Sequence, residues 1–257
     1  MKRLNLRMPK PFENIWKEDK EERRQFFIVA EGPTEESYFT GVKNNRRELD
    51  IGSDVHIEVI PKSEGEESLS HPCQLVTAAL VCMGRMDEDG NELPKDEWEK
   101  KCKWDYRKDV DLVCVIFDRD YRRLEERLDW IYDMCKKHGI YIGISNPNFE
   151  LWLLMHFPNI HQYDRTLLLT NPKNLRRQVF TEASAKKKYL EILLSKVAGG
   201  YTKGSSLKFT HFIGGISLAL EQEKLFEENE DLLKDTLGCN IGILLKKMKF
   251  KETEDEL

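Results

Sequence analysis

The fold of this chain is decided by the stretch VDLVCVIFDRD at residues 110–120. Its nearly continuous apolar run predicts a strand that is buried on both faces, as in the centre of a parallel sheet. The run stops at two aspartates that are separated by one residue. The stretch therefore predicts a central parallel strand with charged side chains at its carboxyl end.

Three other short apolar runs predict further strands around this one, at residues 25–30, 55–60 and 140–144. Helical patterns lie between and after them, at residues 33–44, 71–83, 122–138 and 148–158. Alternation of strands and helices is typical of βαβ units that build a parallel sheet. We therefore predict an α/β fold with a Rossmann-like parallel sheet flanked by helices.

The rest of the chain predicts a division into three regions. Residues 1–24 are mostly charged and polar and predict an N-terminal arm. Residues 25–158 form the α/β domain, which a charged excursion at about residues 87–109 interrupts. Strand patterns fade after Pro158, and long helical patterns cover residues 186–197 and 213–248. The region 159–257 is therefore predicted to be mainly helical.

The composition is that of a folded chain with an uneven distribution of charge. The 257 residues carry a net charge of −5. No apolar run is long enough to span a bilayer, and the first residues lack an apolar secretory core, so we expect a cytoplasmic protein. Residues 161–215 carry ten Lys and Arg against three acids, a balance of +7 that leaves −12 for the rest. Such asymmetry fits a bound polyanion and separate metal-binding acids, and it equally fits a solvated basic face.

Acidic side chains follow three of the predicted strands. Glu31 follows the first strand, Asp118 and Asp120 follow the third, and Glu150 lies just after the fourth. Because the carboxyl ends of parallel strands meet at one edge of a sheet, we expect these side chains to converge. Neighbouring carboxylates repel each other unless a proton or a cation lies between them, and an all-oxygen set suits Mg²⁺ or Mn²⁺. Alone, a D-x-D sequence is weak evidence, since capping aspartates in a charged loop look the same.

Further stretches complete a resemblance to a known family. The sequences EGPTEESYF at residues 31–39 and FDRD at residues 117–120 resemble the TOPRIM domain, which carries a metal-binding Glu after one strand and D-x-D after a later one. The sequence SNPNFELWLLMHF at residues 145–157 is similar to the hallmark of the RloB-like family of TOPRIM proteins. Tyr201 with Lys203 resembles a C-terminal element of that family. The resemblance implies a TOPRIM-like sheet followed by a mainly helical C-terminal part.

The resemblance also implies an activity and its residues. It implies a nuclease dependent on Mg²⁺ (or Mn²⁺) that cleaves nucleic-acid phosphodiesters in antiphage abortive infection, beside an RloA-type ATPase partner. RNA, including tRNA, is preferred as the substrate by analogy with other TOPRIM effectors. Under this resemblance the metal ligands are Glu31, Glu35, Asp118, Asp120 and Glu150. The catalytic residues are Glu31, Asp118, Asp120 and Lys203, of which Lys203 would neutralise a scissile or leaving phosphate.

The basic segment supplies the predicted nucleic-acid contacts. They are Arg176, Arg177, Lys186, Lys187, Lys188, Lys203 and Lys208. The sequence GGYTKGSS at residues 199–206 is glycine-rich but lacks the spacing of a P-loop. A turn and a loop that helps to hold a backbone phosphate are both open interpretations of it.

Two other functions are open at this stage. D-x-D sequences also occur in HAD-type phosphatases, whose nucleophile would be Asp118 with Asp120 beside it, although a HAD nucleophile normally follows the first strand. Alternatively, the chain is a non-catalytic module that binds nucleic acid or an ATPase, with its acids lying at an interface. An aspartyl-phosphate at Asp118 would favour the phosphatase, and a cellular phenotype that survives Asp118→Ala would favour the module.

Overall fold

A five-stranded sheet forms the centre of the fold in the computed structural model, which describes residues 24–60, 71–119, 127–173 and 187–249. The strands are β1 Arg24–Ala30, β2 Val55–Ile60, β3 Leu112–Asp118, β4 Ile140–Asn146 and β5 Gly238–Cys239. Their order is β2-β1-β3-β4-β5, with the first four parallel and β5 antiparallel to β4. The predicted α/β class with a Rossmann-like sheet is confirmed.

Nine α-helices flank this sheet within the described ranges. They are α1 Pro33–Asn44, α2 Pro72–Cys82, α3 Trp98–Lys101, α4 Leu128–His138, α5 Glu150–Leu154, α6 Arg165–Thr170, α7 Tyr189–Val197, α8 Ile216–Glu223 and α9 Ile241–Lys249. The strands β1 to β4 and the helices α1 and α2 lie close to their predicted ranges. None of the helices described here has the length and apolar character needed to cross a bilayer.

The central strand β3 is buried on both faces, as its apolar run predicted. Val113, Val115 and Phe117 pack into one hydrophobic cluster with α2 and α4. Cys114 and Ile116 pack into a second cluster on the other face, with α1, α5 and the C-terminal helices α7 to α9. Burial of a large apolar side chain stabilises a fold by about 1.5–3 kcal/mol, so β3 is a principal source of stability for both layers.

The C-terminal region contributes to this same core. The hydrophobic cluster that holds Ile116 also holds Leu190 and Leu244, so the core extends across the predicted boundary at residue 158. The prediction of one helix over residues 213–248 is wrong, because that segment forms α8, an irregular connection, β5 and α9. The sequence did not predict β5, since a two-residue strand is too short to create a pattern.

The predicted excursion at residues 87–109 is a folded surface element. Asp87 Oδ1 accepts a hydrogen bond of 2.8 Å from the backbone N–H of Asn91, which closes a turn. Further along, the ring of Trp104 stacks on Phe27 of β1 with their centroids 4.9 Å apart. The excursion is therefore anchored to the sheet.

Glu223 is a buried carboxyl group at the end of α8. Its Oε1 accepts hydrogen bonds from the backbone N–H of Gly242 at 2.7 Å and from the thiol of Cys239 at 3.5 Å. Its Oε2 has no hydrogen-bond partner among the described residues. Burial raises the pKa of Glu223 to about 8, so its protonated form is favoured at neutral pH.

The substitution Glu223→Gln is expected to make the free energy of unfolding less dependent on pH. The folded protein holds a proton on Glu223 up to about pH 8, whereas the unfolded chain releases it near the ordinary value of 4.5. The resulting stabilisation is complete below the unfolded pKa and is lost as the pH rises through the folded one, at up to about 1.4 kcal/mol per pH unit. Urea unfolding at a series of pH values measures this. A constant difference between wild type and variant across the series would contradict it.

Candidate active site at the carboxyl edge of the sheet

The carboxyl ends of β1, β3 and β4 are tied together through two acidic side chains. Glu31 directly follows β1, and its Oε2 accepts a hydrogen bond of 2.8 Å from the backbone N–H of Asp118 at the end of β3. Asp118 Oδ1 accepts a hydrogen bond of 2.8 Å from the backbone N–H of Phe149, which follows β4. The parallel topology thus brings two of the predicted site residues into direct contact.

Glu35 and Glu150 join them in what we call the acidic cluster, consisting of Glu31, Glu35, Asp118 and Glu150. Glu35 lies in the first turn of α1 and Glu150 begins α5, and both are buried, whereas Glu31 and Asp118 are partly exposed. Burial raises the pKa of Asp118 well above its ordinary value, and the negative charges of the other three carboxylates raise it further. The cluster is therefore a site of strong repulsion between like charges.

A loop at residues 199–208 provides a cation and a phenol for this cluster. Lys203 Nζ lies 3.0 Å from Glu150 Oε1, and the hydroxyl of Tyr201 donates a hydrogen bond of 2.9 Å to the same oxygen. Burial lowers the pKa of Lys203, but the neighbouring carboxylates outweigh this effect and raise it above its ordinary value. The Lys203 side chain is 49% exposed, so the ion pair stands at the solvent boundary.

The same loop is fastened to the start of α1. The backbone N–H of Gly204 donates a hydrogen bond of 2.8 Å to Thr34 Oγ1. Gly204 has a φ of +95°, a conformation that side chains rarely allow. This contact holds the loop against the helical turn that carries Glu35.

A buried histidine fixes α1 against α5. The carbonyl of Trp152 can only accept, so His156 Nδ1 donates to it at 3.0 Å and Nε2 accepts from the hydroxyl of Tyr38 at 3.0 Å. Burial lowers the pKa of His156 to about 4, so the ring is neutral at physiological pH. His156 is therefore part of the core that positions the two acid-bearing helices, not a member of the acidic cluster.

Several buried polar atoms beside the acidic cluster have no hydrogen-bond partner among the described residues. They are Glu150 Oε2, Ser145 Oγ, and both polar side-chain atoms of Asn148. Ser145 is paired with Asp118 across β3 and β4, and Asn148 precedes Phe149. An unpaired buried polar group costs about 1–3 kcal/mol, so these atoms indicate a place for a further ligand. The sequence placed Ser145 among the candidate polar groups at the end of the fourth strand, but it did not single out Asn148.

The donor chemistry of the acidic cluster suits a hard divalent cation, since every candidate ligand is a carboxylate oxygen. Within the described ranges, however, no three Asp, Glu, His or Cys side chains are arranged to hold a metal ion. Asp120 lies outside the described residues.

The predicted nucleic-acid contacts are described only in part, because Arg176, Arg177 and Lys186 lie outside the described residues. Lys187 and Lys188 directly precede α7, and Lys187 Nζ donates a hydrogen bond of 3.0 Å to Ser195 Oγ. Lys208 lies at the end of the loop at residues 199–208. The ion pair of Lys203 with Glu150 places Lys203 at the acidic cluster.

Fold and site together define a Rossmann-like α/β protein with an acidic cluster at the carboxyl edge of its parallel sheet. The model of the RloB-like protein family matches residues 26–248 of this chain. The chain therefore belongs to the RloB-like family, as its motifs predicted. No curated protein and no solved structure matches the chain.

The substitution Lys203→Met is expected to lower the free energy of unfolding by about 1–3 kcal/mol, because it leaves the buried carboxylate of Glu150 without its cation. The double substitution Lys203→Met with Glu150→Gln should recover most of this loss. Urea unfolding of the two proteins measures both effects.

The matched control is Lys208→Met, which removes a cation from the same loop at a position without an ion pair among the described residues. It should unfold like the wild type. Equal losses for Lys203→Met and Lys208→Met would show that the ion pair with Glu150 does not stabilise the loop.

Proposed function

We propose that this protein is a metal-dependent nuclease of the TOPRIM type, which hydrolyses phosphodiester bonds of nucleic acid. The convergence of four carboxylates from three strand ends, with one buried carboxylate oxygen left unpaired, supports this function most directly. Repelling carboxylates lower the stability of a fold, and sites of this kind are characteristic of functional centres.

Each member of the site would have a distinct part in the reaction. Glu31, Glu35, Asp118 and Glu150 would hold Mg²⁺ or Mn²⁺, which would supply positive charge to the phosphoryl oxygens as negative charge develops there. Glu31 is oriented by its hydrogen bond from Asp118 and would accept a proton from the attacking water. Lys203 is half exposed, so its ammonium group can turn from Glu150 towards a phosphate oxygen.

Membership of the RloB-like family and the charge distribution support the proposed context. The net charge of +7 on residues 161–215 suits a polyanionic substrate, and its binding would weaken with salt. We place the activity in antiphage abortive infection, in the cytoplasm, with an RloA-type ATPase as partner. RNA, including tRNA, is the substrate class that we favour.

A second candidate function is a non-catalytic module that binds nucleic acid or an ATPase. One observation favours it: oxygens of Glu31, Asp118 and Glu150 already accept N–H groups or pair with Lys203. Phosphatase chemistry of the HAD type has less support, because Asp118 ends β3, whereas a HAD nucleophile normally follows the first strand.

Cleavage assays test the nuclease with purified protein, plasmid DNA, single-stranded DNA and total tRNA, in Mg²⁺, in Mn²⁺ and in EDTA. Wild type should cut at least one substrate with metal and none in EDTA. Glu31→Gln and Asp118→Asn should each lower the rate by about a hundredfold or more, because each removes a charged ligand of the metal ion that would stabilise the transition state. The control Glu221→Gln changes an exposed acid of α8 and should cut like the wild type.

Cleavage that persists in EDTA or in both active-site variants would contradict a metal-dependent nuclease. If the protein alone cuts nothing, the assay is repeated with the ATPase partner and ATP. Absence of cleavage there, together with retained binding of nucleic acid, would favour the non-catalytic module.

A further inference from the structure

A cavity of about 320 Å³ lies between the start and end of α7, the loop at residues 199–208 and the turn that follows this loop. We call it the basic cavity, because Lys187, Lys208 and His211 line it and no acidic residue does so among the described ones. Its volume is at the lower end of the range of about 300–1,000 Å³ that is typical of small-ligand sites.

Among the described residues, the positive charge of the basic cavity is offset only at Lys187, whose charge counteracts the rise that burial causes in the pKa of Glu191 in α7. Lys187 Nζ donates to the neutral hydroxyl of Ser195, which holds it at the cavity. Lys208 and His211 are exposed and have no ion-pair partner among the described residues. A concave surface lined by charges of one sign concentrates ligands of the opposite sign, so this cavity favours an anion.

The remaining lining residues suit the other parts of a nucleotide. The hydroxyls of Ser195, Thr202 and Ser206 can donate hydrogen bonds to phosphate or sugar oxygens. Tyr201 and Phe212 also line the cavity, and because both are largely buried, a base or a sugar would contact only the small exposed part of each. A basic rim over an aromatic floor is complementary to a phosphate that is attached to a nucleoside.

The basic cavity and the acidic cluster share one residue, Tyr201. Tyr201 belongs to both, because its ring lines the cavity while its hydroxyl donates to Glu150 Oε1. Two residues further along the same loop, Lys203 pairs with this same oxygen. A nucleotide bound in the cavity would therefore be separated from the carboxylate of Glu150 by the side chain of Tyr201.

We propose that the basic cavity is a substrate subsite, which binds the nucleotide next to the phosphodiester that the acidic cluster acts on. This assignment rests on the proposed nuclease function and adds to it a named set of substrate contacts. Lys208 and His211 bind the phosphate of that nucleotide, and Tyr201 and Phe212 contact its base or sugar.

Binding of short fluorescent single-stranded RNA and DNA, measured by anisotropy in EDTA, tests the subsite without any cleavage. Lys208→Glu should weaken binding by about fivefold or more and should reduce its dependence on salt, because one phosphate contact is lost. His211→Ala should weaken binding in the same direction. Adenosine monophosphate should compete with the oligonucleotide in wild type and more weakly in Lys208→Glu.

The matched control is Lys196→Glu, an identical change of charge on the exposed face of α7 outside the cavity. If Lys208→Glu and Lys196→Glu bind alike, or if wild type binds neither the oligonucleotides nor the monophosphate, the subsite is overturned. The cleavage assays with Glu31→Gln and Asp118→Asn report separately on the nuclease. If the cavity binds nucleotides but the protein shows no metal-dependent cleavage, the proposed nuclease function is overturned. The cavity then remains a nucleotide-binding site.

Discussion

The carboxylate of Glu150 is the group on which the arrangement of the site depends. A buried charge is costly unless other groups compensate it, and here Tyr201 and Lys203 both contact its Oε1. Because these two residues belong to the loop at residues 199–208, compensation of one charge on α5 fixes a segment of the C-terminal region at the carboxyl edge of the sheet. The hydrogen bond between Gly204 and Thr34 fastens that loop to α1 as well.

This arrangement links the acidic cluster and the basic cavity into one surface. The cluster brings carboxylates together at the end of the parallel strands, and the repulsion among them raises the pKa of Asp118. The basic cavity lies against the loop that contacts Glu150 and is lined by Lys187, Lys208 and His211. The proposed cation site beside the proposed anion site is the combination that a phosphodiester substrate would require. Each half of the surface thus supports the interpretation of the other.

The sequence predicted most of the sheet and the positions of its acids, because both follow from local patterns and one topological rule. The apolar run of β3 indicated a buried strand, and the rule for the carboxyl edge brought Glu31 and Asp118 together. The strand β5 escaped prediction because it has only two residues and is held by distant contacts: next to it, Asn240 Oδ1 accepts from the backbone N–H of Ile144, and its Nδ2 donates to the carbonyl of Ile142. Such pairings across about a hundred residues leave no periodic pattern in the sequence.

Other parts of the site depend on burial and could not be predicted from spacing alone. Tyr201 matched a family element, but only the folded chain shows that its hydroxyl contacts Glu150. The unpaired atoms of Ser145 and Asn148 become informative only once their burial is known. The basic cavity likewise combines side chains from α7, a loop and a turn, and simple charge counting identified only its lysines.

The most direct test of the central claim is the binding of Mn²⁺, measured from the loss of the free-ion signal in electron paramagnetic resonance. Wild type and the surface control Glu221→Gln should bind the ion alike. Asp118→Asn should bind it at least about tenfold more weakly, because it loses a charged ligand. If wild type leaves the free signal unchanged, or if Asp118→Asn binds as tightly as wild type, the acidic cluster is not a metal site.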